Sequence, residues 1–230
     1  MSRFTCDIFL ANADGSGLEQ LTTDLGVVSF SWSPDGEQIA LLSDVDGGLY
    51  LIRADGSGRT RLAQETPGVA AFSWSPDGEQ IVFVDGRSVY RIGADGSGLI
   101  ELLTDLTEPF DVAWSPLGDR IAVVATTIGT AGEGAGLFVM NADGSQFAQV
   151  ATYAEAPEWS PDGNWLAFTR PFPGSLCIVQ VDGSNLRCFE GTTPSRHPAW
   201  SPNGLMILFG FNQAASEWDL EVDQVYVIST

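Results

Sequence analysis

The chain of 230 residues contains no lysine, a single histidine and only three cysteines. Its ten basic residues are all arginine, and they face 30 acidic residues, which gives a formal net charge of −20. Such an acidic chain repels phosphate backbones and anionic lipid surfaces, so we expect neither nucleic acid nor a membrane as partner. The lone imidazole, His197, excludes a metal centre built from clustered histidines.

The sequence also lacks long apolar runs. We therefore expect no signal peptide and no membrane-spanning segment, and the chain as written reads as soluble and untargeted. Three cysteines are too few for a disulfide framework. Cys177 and Cys188 flank the turn at Asp182 and could face each other across it, but the pattern favours unpaired, partly buried thiols.

Two short phrases recur throughout the chain at almost constant spacing. Trp-Ser-Pro-Asp-Gly or a close variant begins at tryptophans 42, 40, 45 and 41 residues apart: Trp32, Trp74, Trp114, Trp159 and Trp200. Ala-Asp-Gly-Ser or Val-Asp-Gly-Ser keeps pace with it, beginning at residues 13, 54, 94, 142 and 181. A shared period of about 40 residues indicates one supersecondary unit copied in tandem, whose apolar faces are buried by its neighbours.

Each unit predicts four antiparallel strands. Proline, aspartate and glycine in the first phrase suit a tight turn, and Asp-Gly in the second is a strong hairpin signal. The second strand of each unit is apolar on both faces and the fourth is more polar. This gradient is typical of a blade whose inner strands are enclosed by neighbouring blades and whose outer strand is exposed to solvent. The sequence therefore predicts an all-β fold: a single β-propeller domain over residues 1–230, with repeat turns near 33–36, 75–78, 115–118, 160–163 and 201–204.

The number of blades follows from counting strands. Four complete units, two strands before them and three after them give 21 strands. The count favours five blades, closed by pairing the fourth-type strand near Leu18–Leu21 with the last blade. Six blades remain possible, but such a ring would lack two or three strands and would need a longer parent chain or a partner.

The paired phrases, with an Ile-Ala-Phe-like strand and the segment Leu137–Ser145 between them, resemble the WD-like propeller repeat of TolB-type bacterial proteins. The resemblance covers essentially the whole chain and implies a propeller scaffold in a periplasmic or otherwise extracytoplasmic location. It leaves function open, because similar repeats occur in propellers attached to prolyl-oligopeptidase-like hydrolases and in oligogalacturonate lyases. TolB-type proteins also carry an N-terminal α/β domain and have six blades, and the sequence is expected to show neither.

Catalytic chemistry finds little support in the sequence. No Gly-x-Ser-x-Gly elbow is present for a serine nucleophile, and no strand-to-helix unit surrounds the glycines of residues 129–136. We therefore expect no enzyme activity and no cofactor. Asp111, Glu158 and His197 precede their tryptophans in first strands, which border the channel of a propeller, and they are candidates for a weak divalent-cation site there.

Two long loops depart from the repeat, residues 126–136 and 212–224, and loops of this kind usually carry function on a rigid frame. The second contains a tryptophan outside the periodic series among acidic residues, and we expect an interface there: Glu217, Trp218, Asp219 and Glu221. The five periodic tryptophans are expected to pack in the core. The leading hypothesis is a monomeric, non-catalytic scaffold that binds a protein or peptide. A gating propeller of a larger hydrolase, and a sugar or metal-ion site in the channel, are the alternatives.

Overall fold

A computed structural model describes residues 6–64, 66, 68–127, 134–171, 174–190, 197–213 and 222–229. These residues form 21 strands in six antiparallel sheets, as the repeat predicts. None of the described segments forms a helix that is long and apolar enough to cross a membrane.

Four of the sheets have four strands each, in simple meander order. Sheet 2 contains β3 (Val27–Trp32), β4 (Gln38–Ser43), β5 (Leu49–Arg53) and β6 (Thr60–Leu62). Sheet 3 contains β7 (Val69–Trp74), β8 (Gln80–Asp85), β9 (Ser88–Gly93) and β10 (Ile100–Leu103). Sheet 4 contains β11 (Thr107–Trp114), β12 (Arg120–Thr127), β13 (Gly134–Asn141) and β14 (Ala148–Thr152). Sheet 5 contains β15 (Glu155–Trp159), β16 (Trp165–Arg170), β17 (Ser175–Gln180) and β18 (Arg187–Glu190).

The two terminal sheets are incomplete among the described residues. Sheet 1 has only β1 (Phe9–Leu10) and β2 (Glu19–Gln20), and sheet 6 has β19 (Ala199–Trp200), β20 (Met206–Gln213) and β21 (Val222–Ser229). The pairing that would close a five-bladed ring is not found between described strands, because β2 pairs with β1 and β21 pairs with β20. The described strands therefore contribute to six blades rather than to the favoured five.

Serine and aspartate side chains hold the turn after the first strand in sheets 2, 3 and 5. In sheet 2 the Ser33 hydroxyl donates to Asp35 at 2.6 Å, and Asp35 also accepts the Glu37 backbone N–H at 3.0 Å. These bonds satisfy turn donors that no strand partner reaches. Leu117 takes the place of the aspartate in sheet 4, where Asp119 accepts the serine hydroxyl instead.

The core lies between neighbouring sheets rather than within them. In the interface between sheets 2 and 3, Ala40 and Leu42 of one sheet meet Trp74, Ile81 and Phe83 of the next. Equivalent residues repeat this contact between sheets 3 and 4, 4 and 5, and 5 and 6. Sheets 3, 4 and 5 therefore each bury one flank against the preceding sheet and the other against the following one, which is the packing of a β-propeller.

Candidate functional site

The predicted channel residues lie on neighbouring first strands. Asp111 belongs to β11, Glu158 to β15, and His197 comes just before β19. These strands contact one another in order around the axis. Asp111 interacts electrostatically with both His197 and Glu158, so the structure brings the three side chains into one environment.

Burial dominates the acid–base behaviour of this cluster. It raises the pKa of Asp111 to about 6, although the Val112 backbone N–H and the His197 charge oppose the shift. It also raises the pKa of Glu158 to about 7, with a further contribution from the Asp111 charge. Solvent reaches the Glu158 side chain, yet protein surrounds it on enough sides to disfavour the ionised form, as expected on a channel wall.

The geometry of this cluster adds no support to the metal-ion hypothesis. Among the residues that the structure describes, no three His, Cys, Asp or Glu side chains lie close enough to hold a metal ion. The channel site therefore stays a prediction. The predicted interface residues, Glu217, Trp218, Asp219 and Glu221, fall outside the described residues, as do residues 128–133 of the other long loop.

A groove of about 590 Å³ lies between sheets 5 and 6, beside the turns that follow their first strands. Its volume is in the range typical of small-ligand and peptide-side-chain pockets. The walls combine aromatic and aliphatic side chains with a few polar groups: Pro161, Asp162, Trp165, Ile178, Arg187, Trp200, Asn203 and Leu205. Leu205 is 60% exposed at the rim, and Ile178 is buried.

Trp165 is the groove residue that the sequence interpretation missed. It begins the second strand of its sheet, where sheets 2, 3 and 4 have Gln38, Gln80 and Arg120. Sheet 6 has Met206 at this position, so a tryptophan stands there in sheet 5 alone and the shared blade packing does not require it. Aligning the repeats by their turns would have identified it, just as it identified Trp218.

The groove contains one acidic and one basic side chain, Asp162 and Arg187. The Ser160 hydroxyl and the Asn164 side chain donate hydrogen bonds to Asp162 and hold the pKa of its carboxyl below the usual value, so Asp162 is ionised at neutral pH. Arg187 is exposed and makes no ion pair with any residue in the described part of the chain. The groove therefore offers a fixed anion and an exposed cation on an apolar surface.

A disulfide supports the wall that carries Arg187. Cys177 and Cys188 are bonded, with an S–S distance of 2.05 Å, so the expectation of unpaired thiols was wrong. The two residues are directly opposite in the pairing of β17 with β18, next to the Ile178–Arg187 pair. Spacing around a hairpin turn does not determine register, and register is what brought these sulfur atoms together. Cys6 is free and exposed.

A family model described as the TolB beta propeller domain matches residues 70–224. The chain belongs to this family. None of the curated proteins compared with it by sequence matches.

Solved structures support the same fold. The protein from Agrobacterium tumefaciens that is assigned as a TolB has 21% sequence identity and a TM-score of 0.73, and the match covers 97% of this chain and 84% of that one. TolB from Acinetobacter baumannii has 17% identity and a TM-score of 0.69, over 97% of this chain and 57% of that one. Oligogalacturonate lyase from Vibrio parahaemolyticus has 14% identity and a TM-score of 0.74, over 96% and 68%. At these identities the likeness concerns the fold alone.

Proposed function

We propose that this TolB-like propeller is a non-catalytic scaffold that binds a protein or peptide, with the groove between sheets 5 and 6 as its contact surface. The groove carries the proposal, because it combines a tryptophan absent from the repeat pattern with oppositely charged side chains. Aromatic residues and arginine are the residue types that most often dominate binding energy at protein interfaces.

The groove chemistry suggests the kind of segment that fits. Trp165 and Leu205 form an apolar surface for one side chain of an extended peptide, while Asp162 and Arg187 flank it with charge. The net charge of −20 favours a partner surface that is neutral or positive. Nucleic acid and lipid bilayers are poor matches for the same reason.

An extracytoplasmic location is part of the proposal. The Cys177–Cys188 disulfide supports it, because structural disulfides persist in oxidising compartments such as the bacterial periplasm. The family membership is consistent with this location, and we assign the chain no catalytic role and no cofactor.

The test is a selection of peptides from a displayed random library on the 230-residue chain, followed by affinity measurements on variants. Glutamine is the residue found at the position of Trp165 in sheets 2 and 3, so Trp165→Gln suits the strand. This substitution should lower the affinity of the selected peptides by about tenfold or more. Gln80→Ala, at the equivalent position of sheet 3, is the matched control and should change nothing. If the selected peptides bind W165Q as tightly as the unaltered chain, the groove is not the contact surface.

A further inference from the structure

The turns that follow the first strands lie against one another in an unbroken row across sheets 2 to 6. We call this row the turn arc; it consists of residues 33–37, 75–79, 115–119, 160–164 and 201–205. A Cβ atom built on the glycine of each later turn would lie within 4 Å of the turn before it: Gly78 against Pro34, Gly118 against Pro76, Gly163 against Leu117 and Gly204 against Pro161. The exposed side chains of the arc therefore form one continuous surface.

One turn of the arc carries a leucine where the turn chemistry favours a hydrogen-bond acceptor. In sheets 2, 3 and 5 an aspartate at this position accepts the hydroxyl of the turn serine, and in sheet 6 Asn203 does so. Leu117 of sheet 4 has no acceptor on its side chain, and it is 60% exposed. Neither the hydrogen bonds of the turn nor burial in the core explains this leucine.

A second leucine stands at the residue that follows the glycine of each turn. This position is exposed in all five sheets, so solvent reaches it whatever residue it carries. Sheets 2 to 5 have polar residues there: Glu37, Glu79, Asp119 and Asn164. Sheet 6 has Leu205, which is 60% exposed. The arc therefore presents leucine at two positions that the other repeats keep polar.

The two leucines are joined by a proline. Leu117 lies against the turn of sheet 5, in which Pro161 is exposed. Pro161 in turn lies against Gly204, and it lines the groove together with Leu205. Leu117, Pro161 and Leu205 thus form an apolar track over sheets 4 to 6, which extends the groove toward sheet 4. Adjoining exposed apolar side chains of this kind mark an interaction surface more often than single ones do.

The other end of the turn arc is acidic. The serine hydroxyls of their turns donate to Asp35 and Asp77 and hold the pKa of both carboxyls below the usual value, so both are ionised at neutral pH. Glu37 and Glu79 are exposed beside them, and neither forms an ion pair with a residue that the structure describes. The arc is therefore anionic at sheets 2 and 3 and apolar at sheets 4 to 6.

We propose that the turn arc binds an extended segment of a partner polypeptide in which apolar residues adjoin a run of lysine or arginine. The apolar residues cover the track, and the basic residues lie over the turns of sheets 2 and 3, where the charges are complementary. A second copy of this chain is a poor occupant, because its ten basic residues face 30 acidic ones and two copies repel each other. The inference rests on the proposed function in that a peptide is bound, and it adds the chemistry of that peptide.

The experiment uses the peptides selected from the displayed random library on the 230-residue chain. We expect them to combine apolar residues with lysine or arginine and to bind more weakly as the NaCl concentration rises. Leu117→Asn should lower their affinity by about tenfold or more. The turn tolerates asparagine at this position, because Asn203 accepts the Ser201 hydroxyl at 2.8 Å and the Leu205 N–H at 3.1 Å in sheet 6.

The acidic end has its own variant and the track its own control. The double variant Glu37→Gln, Glu79→Gln removes two exposed charges and should both weaken binding and reduce its dependence on NaCl. Leu99→Ala removes a leucine of sheet 3 that is 44% exposed but lies outside the arc, and it should bind the peptides like the unaltered chain.

The outcomes separate this inference from the groove, because Leu117, Glu37 and Glu79 do not line it. Peptides that lose affinity for W165Q but bind L117N and the double variant normally would overturn the inference and leave the groove as the contact surface. The reverse pattern would support the turn arc and overturn the groove. Selected peptides without basic residues, or no selected peptide at all, would overturn the inference. So would a dimer in analytical ultracentrifugation that L117N dissociates, because a second copy would then cover the arc.

Discussion

Replacing Asp111 by asparagine removes a carboxyl group whose ionisation the folded channel disfavours. Burial raises its pKa from 3.8 to about 6. A shift of about 2 units at about 1.4 kcal/mol per unit corresponds to about 3 kcal/mol when the group is fully ionised in the folded state. Because water in the channel reaches part of the group, we expect an observed effect of about 2 kcal/mol.

The sign of this effect follows from the direction of the shift. Since the pKa is higher in the folded chain, the folded state retains a proton that the unfolded state loses between about pH 4 and pH 6. The stabilisation that the higher folded-state pKa of Asp111 supplies is therefore complete below pH 3.8, and it is lost as pH rises through about 6. D111N should equal the unaltered chain at pH 4 and exceed it by about 2 kcal/mol at pH 8. Asparagine can keep the acceptor for the Val112 N–H, so the local geometry is preserved.

Urea unfolding followed by tryptophan emission at pH 4, 6 and 8 measures these free energies. Asp105→Asn, which removes an exposed carboxyl group from a long surface ion pair with Arg87, should show a difference near zero at all three pH values. The channel should also report through Glu158, whose pKa should fall in D111N because the Asp111 charge is one of its causes. A D111N effect that is independent of pH, or larger at pH 4 than at pH 8, would refute the assignment of Asp111 to a desolvated site.

Two further predictions concern stability. Trp74→Ala and Trp159→Ala should each lower the free energy of unfolding by about 3–5 kcal/mol. Trp32→Ala should lower it by only about 1 kcal/mol, because Trp32 is largely exposed. Urea midpoints that fall equally in all three variants would show that Trp32 is packed like the others. Replacing Cys177 and Cys188 by serine should lower the free energy of unfolding by about 2–3 kcal/mol, since the bond closes a loop with a sequence separation of 11. If reduction of the unaltered chain leaves its thermal midpoint unchanged, the disulfide does not stabilise sheet 5.

The local rules that the sequence follows predicted the strands well. Pro34 fixes one backbone angle of its turn, Gly36 adopts a φ of +74°, and Asp35 binds the backbone two residues ahead. These are interactions within a few residues, and they repeat in sheets 3 and 5. The periodic tryptophans were expected in the core for the same reason. Trp74, Trp114 and Trp159 are buried there, whereas Trp200 is partly buried and Trp32 is 44% exposed, so the expectation was wrong for Trp32.

Features that depend on contacts between distant residues were harder to predict. The Cys177–Cys188 bond required the register of β17 and β18, and the groove required the separation of sheets 5 and 6. Closure of the ring depended on whether the terminal strands pair with each other or with their neighbours, a choice that the repeat pattern leaves open.

By itself the sequence determined the repeating unit, its turns and the apolar faces that require a propeller, because period and turn chemistry act over short distances along the chain. Only the tertiary structure decided which faces are covered: it buried Trp74, exposed Trp32 and raised the pKa of Asp111. The physical reason is that burial and desolvation depend on atoms brought in from other blades, and identical local phrases give no information about whether those atoms are present.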